Sequence, residues 1–228
     1  MRVIIDERLV RRQAARAQKA LLLGVAALLA SAVLSFNPRY LLLAYGTVIP
    51  GLALATWGAR QSEKWLQDPR PDQQLTKALK GLSRGYRLHS YVLPAEHVIS
   101  SPTGLYVLQL KPQDGPITCT GAKWHRPFNV RRLLRILSES SLGNPTKQAR
   151  AEADSLQRFL SERLPDLQVP IQPAIVFTSP QADLNLAEPK VPAMPLSDLK
   201  SFLRDTRLGP NLPQESQKTL LATFGLSD

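Results

Sequence analysis

The sequence predicts an α/β domain, a mixed sheet flanked by helices, preceded by a two-helix transmembrane hairpin. Three observations predict it. Two uncharged apolar runs stand close together near the N-terminus. Helix-like and strand-like segments come after them in the order α-β-β-β-α-β-α. No internal repeat interrupts that order.

The apolar runs cover residues 20–36 and 40–59, each near the roughly 20 residues that cross a hydrocarbon core. Between them Asn37-Pro38-Arg39 forms a polar break, with a proline to stop the first helix. So short a link makes the pair antiparallel. Tyr40 and Trp57 fall near the ends of the second run, where aromatic side chains favour the interface. Arg2, Arg8, Arg11, Arg12, Arg16 and Lys19 precede the first run, Arg39 alone lies in the link, and Arg60 and Lys64 come after the second. By the positive-inside rule the chain is an integral membrane protein with both termini cytoplasmic. Residues 1–19 read as a basic cytoplasmic tail, a helix lying against anionic headgroups of the bilayer. A signal peptide cut near Ala30-Ser31-Ala32 is disfavoured by the long charged segment before it and the second run after it. A buried helical pair is disfavoured by the purity of both runs.

Residues 60–72 carry Pro69 and Pro71 and form a linker. The domain proper is 73–228. Asp72 is placed as an N-cap for a helix over 73–83, where Leu75, Leu79 and Leu82 recur at helical spacing. Strands are expected over 86–93, 96–100 and 104–111, the last being the clearest in the chain, and 116–120 adds another. Ser101-Pro102-Thr103-Gly104 turns the second of these into the third. Residues 121–128 read as loop and 130–137 as a short basic helix. Asn144-Pro145 opens a long helix over 146–164, with asparagine as cap and proline at the first position. A strand over 171–178 and helices over 196–204 and 214–224 complete the order.

Composition narrows the chemistry. Cys119 is the lone cysteine, so neither a disulfide framework nor a cysteine-rich zinc site exists. His89, His97 and His125 show no metal-ligand spacing. The net charge of +11 suits anionic lipid or nucleic acid.

Glu96 opens a short strand, and the next ends Gln109-Leu110-Lys111. Residues i and i+2 share a strand face, so Gln109 and Lys111 project together and the hairpin brings Glu96 beside them. A carboxylate, an amide oxygen and an ammonium in one pocket suit phosphodiester cleavage. Glu96 and Gln109 would hold Mg²⁺ and Lys111 would stabilise developing charge. On spacing alone such residues at strand ends are usually solvated.

The stretch from Glu96 to Lys111, EHVISSPTGLYVLQLK, resembles the core of the nuclease-related domain family, NERD. That family typically reads Asp-His, apolar residues, a Pro/Gly turn, an apolar strand, then Glu-x-Lys. Gly121-x-x-Trp124, Asn144-Pro145-x-x-Gln148 and Ala174-Ile175-Val176-Phe177 resemble further family marks in order, so the resemblance runs from about Gln73 to Arg204. It implies a restriction-endonuclease-like fold and metal-dependent DNA cleavage, with Glu96, Gln109, Lys111 and Gln148 as catalytic residues and Mg²⁺ as cofactor. It also agrees with the hairpin, since members often carry transmembrane segments. The chain departs from the pattern in three places. The first helix offers Gln73 and Gln74 where the family has an acid, Glu96 replaces the family Asp, and Gln109 replaces the Glu of Glu-x-Lys. One carboxylate remains where three are expected. The alternative reading is therefore a catalytically inactive module that binds nucleic acid or a protein partner at the membrane. Arg131, Arg132 and Arg135 form a group suited to DNA phosphates. Trp124 reads first as a loop anchor.

Overall fold

The computed structural model describes residues 1–66, 68–127 and 141–224. In chain order these form β1 (Arg2–Ile5), α1 (Glu7–Ser35), a 3₁₀ turn (Pro38–Tyr40), α2 (Leu41–Trp65), α3 (Pro71–Ala78), β2 (Arg87–Ser90), β3 (His97–Ser101), β4 (Gly104–Lys111), β5 (Gly115–Thr120) and β6 (Lys123–His125). Then come α4 (Pro145–Arg163), β7 (Ile171–Phe177), β8 (Ala182–Ala187), β9 (Ala193–Pro195), α5 (Leu199–Asp205) and α6 (Gln214–Thr223). The chain divides into two compact units. One holds Glu7–Arg70. The other joins Met1–Asp6 to Pro71–Pro127 and to the residues from Leu142 onward.

The first unit is an antiparallel helical hairpin. Asn37 turns the chain, its side chain accepting from the backbone N–H of Arg39 at 3.0 Å. Small residues bring the two backbones together. A Cβ on Gly24 would lie 2.3 Å from the backbone nitrogen of Ala55, and one on Gly58 2.5 Å from that of Leu21. The Ser31 hydroxyl donates to the Ala44 carbonyl at 2.7 Å across the pair. This is how helices associate where the solvent offers no hydrophobic drive. The outer surface is apolar, with Leu42 at 89% and Phe36 at 88% exposure. Both helices are long and apolar enough to cross a membrane, and only 22% and 17% of their most apolar stretches is buried.

In the second unit the described strands form a mixed sheet in the order β1-β2-β3-β4-β7-β9 and a three-stranded sheet, β6-β5-β8. β3 and β4 make the expected hairpin, Ser101 opposite Gly104. Gly104 has φ +151°, and a Cβ there would lie 2.6 Å from the carbonyl oxygen of Pro170, so glycine is needed at that turn. β4 pairs parallel with β7, Lys111 opposite Phe177. Alternation along the strands divides the core between two faces. One face carries Leu88, Ile99, Tyr106 and Leu108 against Leu75, Leu79 and Leu82 of α3 and the turn after it, and against Leu199 and Leu203 of α5. The other carries Val98, Leu105 and Val107 against Ala153, Leu156 and Leu160 of α4 and Leu220 of α6.

Several elements differ from the sequence reading. The first residues of the basic tail are strand, not helix. Arg2–Ile5 pairs parallel with β2, and the Met1 ammonium donates to the carbonyl of Leu82 at 3.2 Å. Val3-Ile4-Ile5 is β-branched, and that propensity prevails over the basic, helix-favouring residues after it. From Glu7 the tail is helical but continuous with the first apolar run. Pro71 opens α3, so Asp72 lies in its first turn and not at its cap. The loop expected after β5 contains β6. β8 and β9 are strands where none was expected, because they are short or rich in polar residues. The basic helix expected over 130–137 lies outside the described residues.

This packing can be tested at two places. Gly58→Leu forces α1 and α2 apart, so a Ser31→Cys/Ala44→Cys pair that cross-links on oxidation in the parent stops cross-linking; equal yields would refute the close approach. The second concerns His89, wholly buried on β2, with Nε2 at 3.1 Å from the Ser100 hydroxyl, its ring edge-on to Phe224, and Nδ1 without a partner among the described residues. Burial, with help from the Arg87 charge, lowers its pKa to about 4. The folded state therefore keeps it neutral, and the stability this gives is complete above pH 6.5 and lost as pH falls toward 4. The loss is about 3 kcal/mol. Denaturant melts of the detergent-solubilised chain at pH 7 and pH 4 should differ by that much less in His89→Leu.

Candidate active site

Lys111 ends β4 on the face covered by α4, and it is 6% exposed. A cation so placed needs oxygens around it. Its Nζ donates to the Leu142 carbonyl at 3.1 Å and to Oε1 of Gln148 on the first turns of α4. Burial pushes the Lys111 pKa down to about 8, while Glu152 and Glu96 hold it from falling further. Glu152 also reaches the main chain at Glu96. The backbone N–H of Glu96 donates to Oε2 of Glu152 at 3.4 Å.

α4 is positioned from its N-terminus. Asn144 caps it, Oδ1 accepting from the Lys147 N–H at 3.0 Å, while Nδ2 donates to the Ala122 carbonyl at 3.2 Å. Trp124 of β6 donates from Nε1 to the Thr146 hydroxyl at 2.8 Å and packs on Phe177 with ring centres 5.8 Å apart. Trp124 is thus an anchor for the start of α4, which fixes where Gln148 and Glu152 stand. Gly143 has φ +60°, and a Cβ there would come 3.2 Å from Nε2 of Gln148. The turn is therefore shaped around the amide that holds Lys111.

Of the residues singled out from sequence, Glu96, Lys111 and Gln148 come together. Gln109 shares the Lys111 face by alternation, and its Nε2 lies 3.4 Å from the carbonyl of its neighbour Leu110. Arg131, Arg132 and Arg135 lie outside the described residues. Glu152 is a site residue that the sequence reading missed. It stands four positions after Gln148 and so shares its helix face, a spacing that sequence alone could have offered. α3 packs on the opposite face of the sheet through Leu75 and Leu79, and its Asp72 is wholly buried. His97, next to Glu96, also turns that way, Nδ1 lying 3.1 Å from the Ser90 hydroxyl.

The donor set can be weighed for a metal. Among the described residues no three of His, Cys, Asp and Glu gather. Two carboxylates, with the Gln109 amide on the same strand face, are hard oxygen ligands, a set that fits Mg²⁺ held largely by water and phosphate. Gln148 is already committed to Lys111 and serves the lysine.

No curated protein and no solved structure matches the chain. The model of the nuclease-related domain, NERD, matches residues 59–178. That span holds Glu96, Gln109, Lys111, Gln148 and Glu152 and exceeds half of the chain, which therefore belongs to the nuclease-related domain family.

Proposed function

We propose that this chain is a membrane-anchored nuclease that cleaves DNA with the help of a divalent metal. The observation that carries the reading is Glu152. Sequence left one carboxylate at the site, and α4 supplies a second beside Glu96 and Lys111. Glu96 and Glu152, assisted by Gln109, would hold Mg²⁺, which when bound supplies an activated water and neutralises phosphate charge. Lys111 would place its ammonium against the phosphate as negative charge develops. Gln148 and the Leu142 carbonyl hold that ammonium in place. The helical hairpin would span the bilayer, with its outward leucines in lipid and the arginines of the tail keeping both ends cytoplasmic.

A second reading keeps the fold without catalysis, as a tethered module for nucleic acid or protein. Gln73, Gln74 and Gln109 at positions where the family pattern has acids favour it.

The two separate in one assay. The full chain is the right reagent, since residues 2–5 supply a strand of the sheet. With Mg²⁺ or Mn²⁺ it should nick supercoiled plasmid, and Glu152→Gln should lower the rate by about 100-fold. Salt-sensitive binding without nicking would establish the second reading instead. Cleavage should also fall as pH rises through about 8, because Lys111 loses its charge there. Lys111→Arg, which stays charged, should lack that alkaline limb whatever its absolute rate. An unchanged limb would take Lys111 out of the step.

A further inference from the structure

α1 is one helix of 29 residues, so the basic tail and the apolar run share a stiff rod. Arg8, Arg12, Arg16 and Lys19 all lie exposed on it. At 3.6 residues per turn they fall within an arc of about 80°, on a stripe about 16 Å long. The buried residues Val10, Ala17 and Gly24 lie more than about 90° around the helix from the midline of that stripe. Gly24 among them meets Ala55 of α2, so the stripe faces away from the partner helix.

Among the described residues the stripe carries no counter-charge. Glu7, the acid nearest to it on the helix, is engaged with Arg70 at 3.4 Å. Among the described residues no carboxylate pairs with any of the four cations. Like charges at i and i+4 repel by a few tenths of a kcal/mol per pair. Such an array is stabilised by an anion that runs along it.

A lipid headgroup layer does not run along it. Lys19 adjoins the apolar run, and the headgroup zone adds only about 5–8 Å per leaflet. Arg16 and Lys19 fall within that zone, while Arg12 and Arg8 stand beyond it. This step rests on the reading that the hairpin spans a bilayer. It also replaces the picture of a tail lying flat on the surface. On the proposed DNA-cleaving function, on which this step also rests, the extended polyanion near this domain is nucleic acid, whose phosphates repeat along a line.

We propose that Arg8, Arg12, Arg16 and Lys19 form a binding surface for the phosphate backbone of DNA, on the helix that leads from the nuclease-related domain into the membrane.

The test uses the full chain in nanodiscs of zwitterionic lipid and a fluorescent DNA duplex. Binding is measured across salt concentrations for the parent and for a variant with all four cations changed to Gln. The variant should bind about tenfold more weakly or worse, with a log–log salt slope shallower by about 3 to 4. A variant with Arg8→Lys, Arg12→Lys and Arg16→Lys keeps the charge and should bind as the parent does, which separates lost contacts from a damaged helix. Equal affinity and slope in the parent and the Gln variant would overturn the proposal. So would intact DNA binding by the Gln variant together with loss, in a parallel preparation in nanodiscs containing anionic lipid, of the anionic lipid that native mass spectrometry finds bound to the parent. Alkaline extraction of the parent from membranes tests the underlying reading separately. Release into the soluble fraction would refute the spanning hairpin, and with it the ground for preferring DNA over lipid.

Discussion

Lys111 is 6% exposed, and taking an ammonium out of water costs several kcal/mol unless oxygens replace its hydration. The architecture on that face of the sheet answers this demand. β4 ends at Lys111, Leu142 turns a carbonyl toward it, and α4 begins where Gln148 can reach it. The N-terminus of α4 must therefore be fixed, and Trp124, Thr146, Asn144 and Ala122 fix it through three hydrogen bonds, one of them the helix's own cap. The small sheet β6-β5-β8 thereby acquires a purpose, since it carries the tryptophan that anchors the helix that holds the lysine. With α4 so placed, its next turn puts Glu152 at Glu96.

The hairpin obeys a different constraint. If it spans a bilayer, burying leucine would gain nothing over leaving it outside, and only close packing and satisfied polar groups would hold its two helices together. Gly24, Gly58 and Gly51 provide the closeness and Ser31 the hydrogen bond. Large apolar side chains are left on the outside, the reverse of a soluble helical pair. Because Asp6 alone separates β1 from α1, the nuclease-related sheet and the hairpin are joined covalently at both ends of the hairpin, through β1 and through the segment before α3.

How much of this could be read from the sequence depends on range. The helical hairpin was legible because two long apolar runs parted by a short Asn-Pro-Arg break read as two helices joined by a turn. β4, α4 and β7 were legible because alternation, a cap-proline pair and a continuous apolar run are local signals. β1 was not, since four residues at a chain end pair with a strand more than eighty positions away, and the nearby arginines suggested helix. β8 has polar residues at alternate positions because one side of its sheet faces solvent. The site was half legible. Glu96, Lys111 and Gln148 came from motif order, but Glu152 carries no motif and is identified only by where α4 lies against β4.

That half matters for the chemistry, because charge at the site decides what it can hold. Glu96, Glu152 and Lys111 leave it with a net charge of about −1 when all are ionised. A glutamate at position 109, as the family pattern has it, would make the site more negative. Mg²⁺ would bind more tightly there, but an incoming phosphodiester would meet stronger repulsion until the metal arrived. With Gln109 the balance shifts the other way. The amide would keep an oxygen for coordination while removing a charge, so metal affinity would come to depend more on the phosphate a substrate brings. On the proposed reading, substitution of the acid would therefore not simply erase the site. It would make metal and substrate bind together, and a basic surface that concentrates DNA near the domain would offset the weakened hold on metal alone.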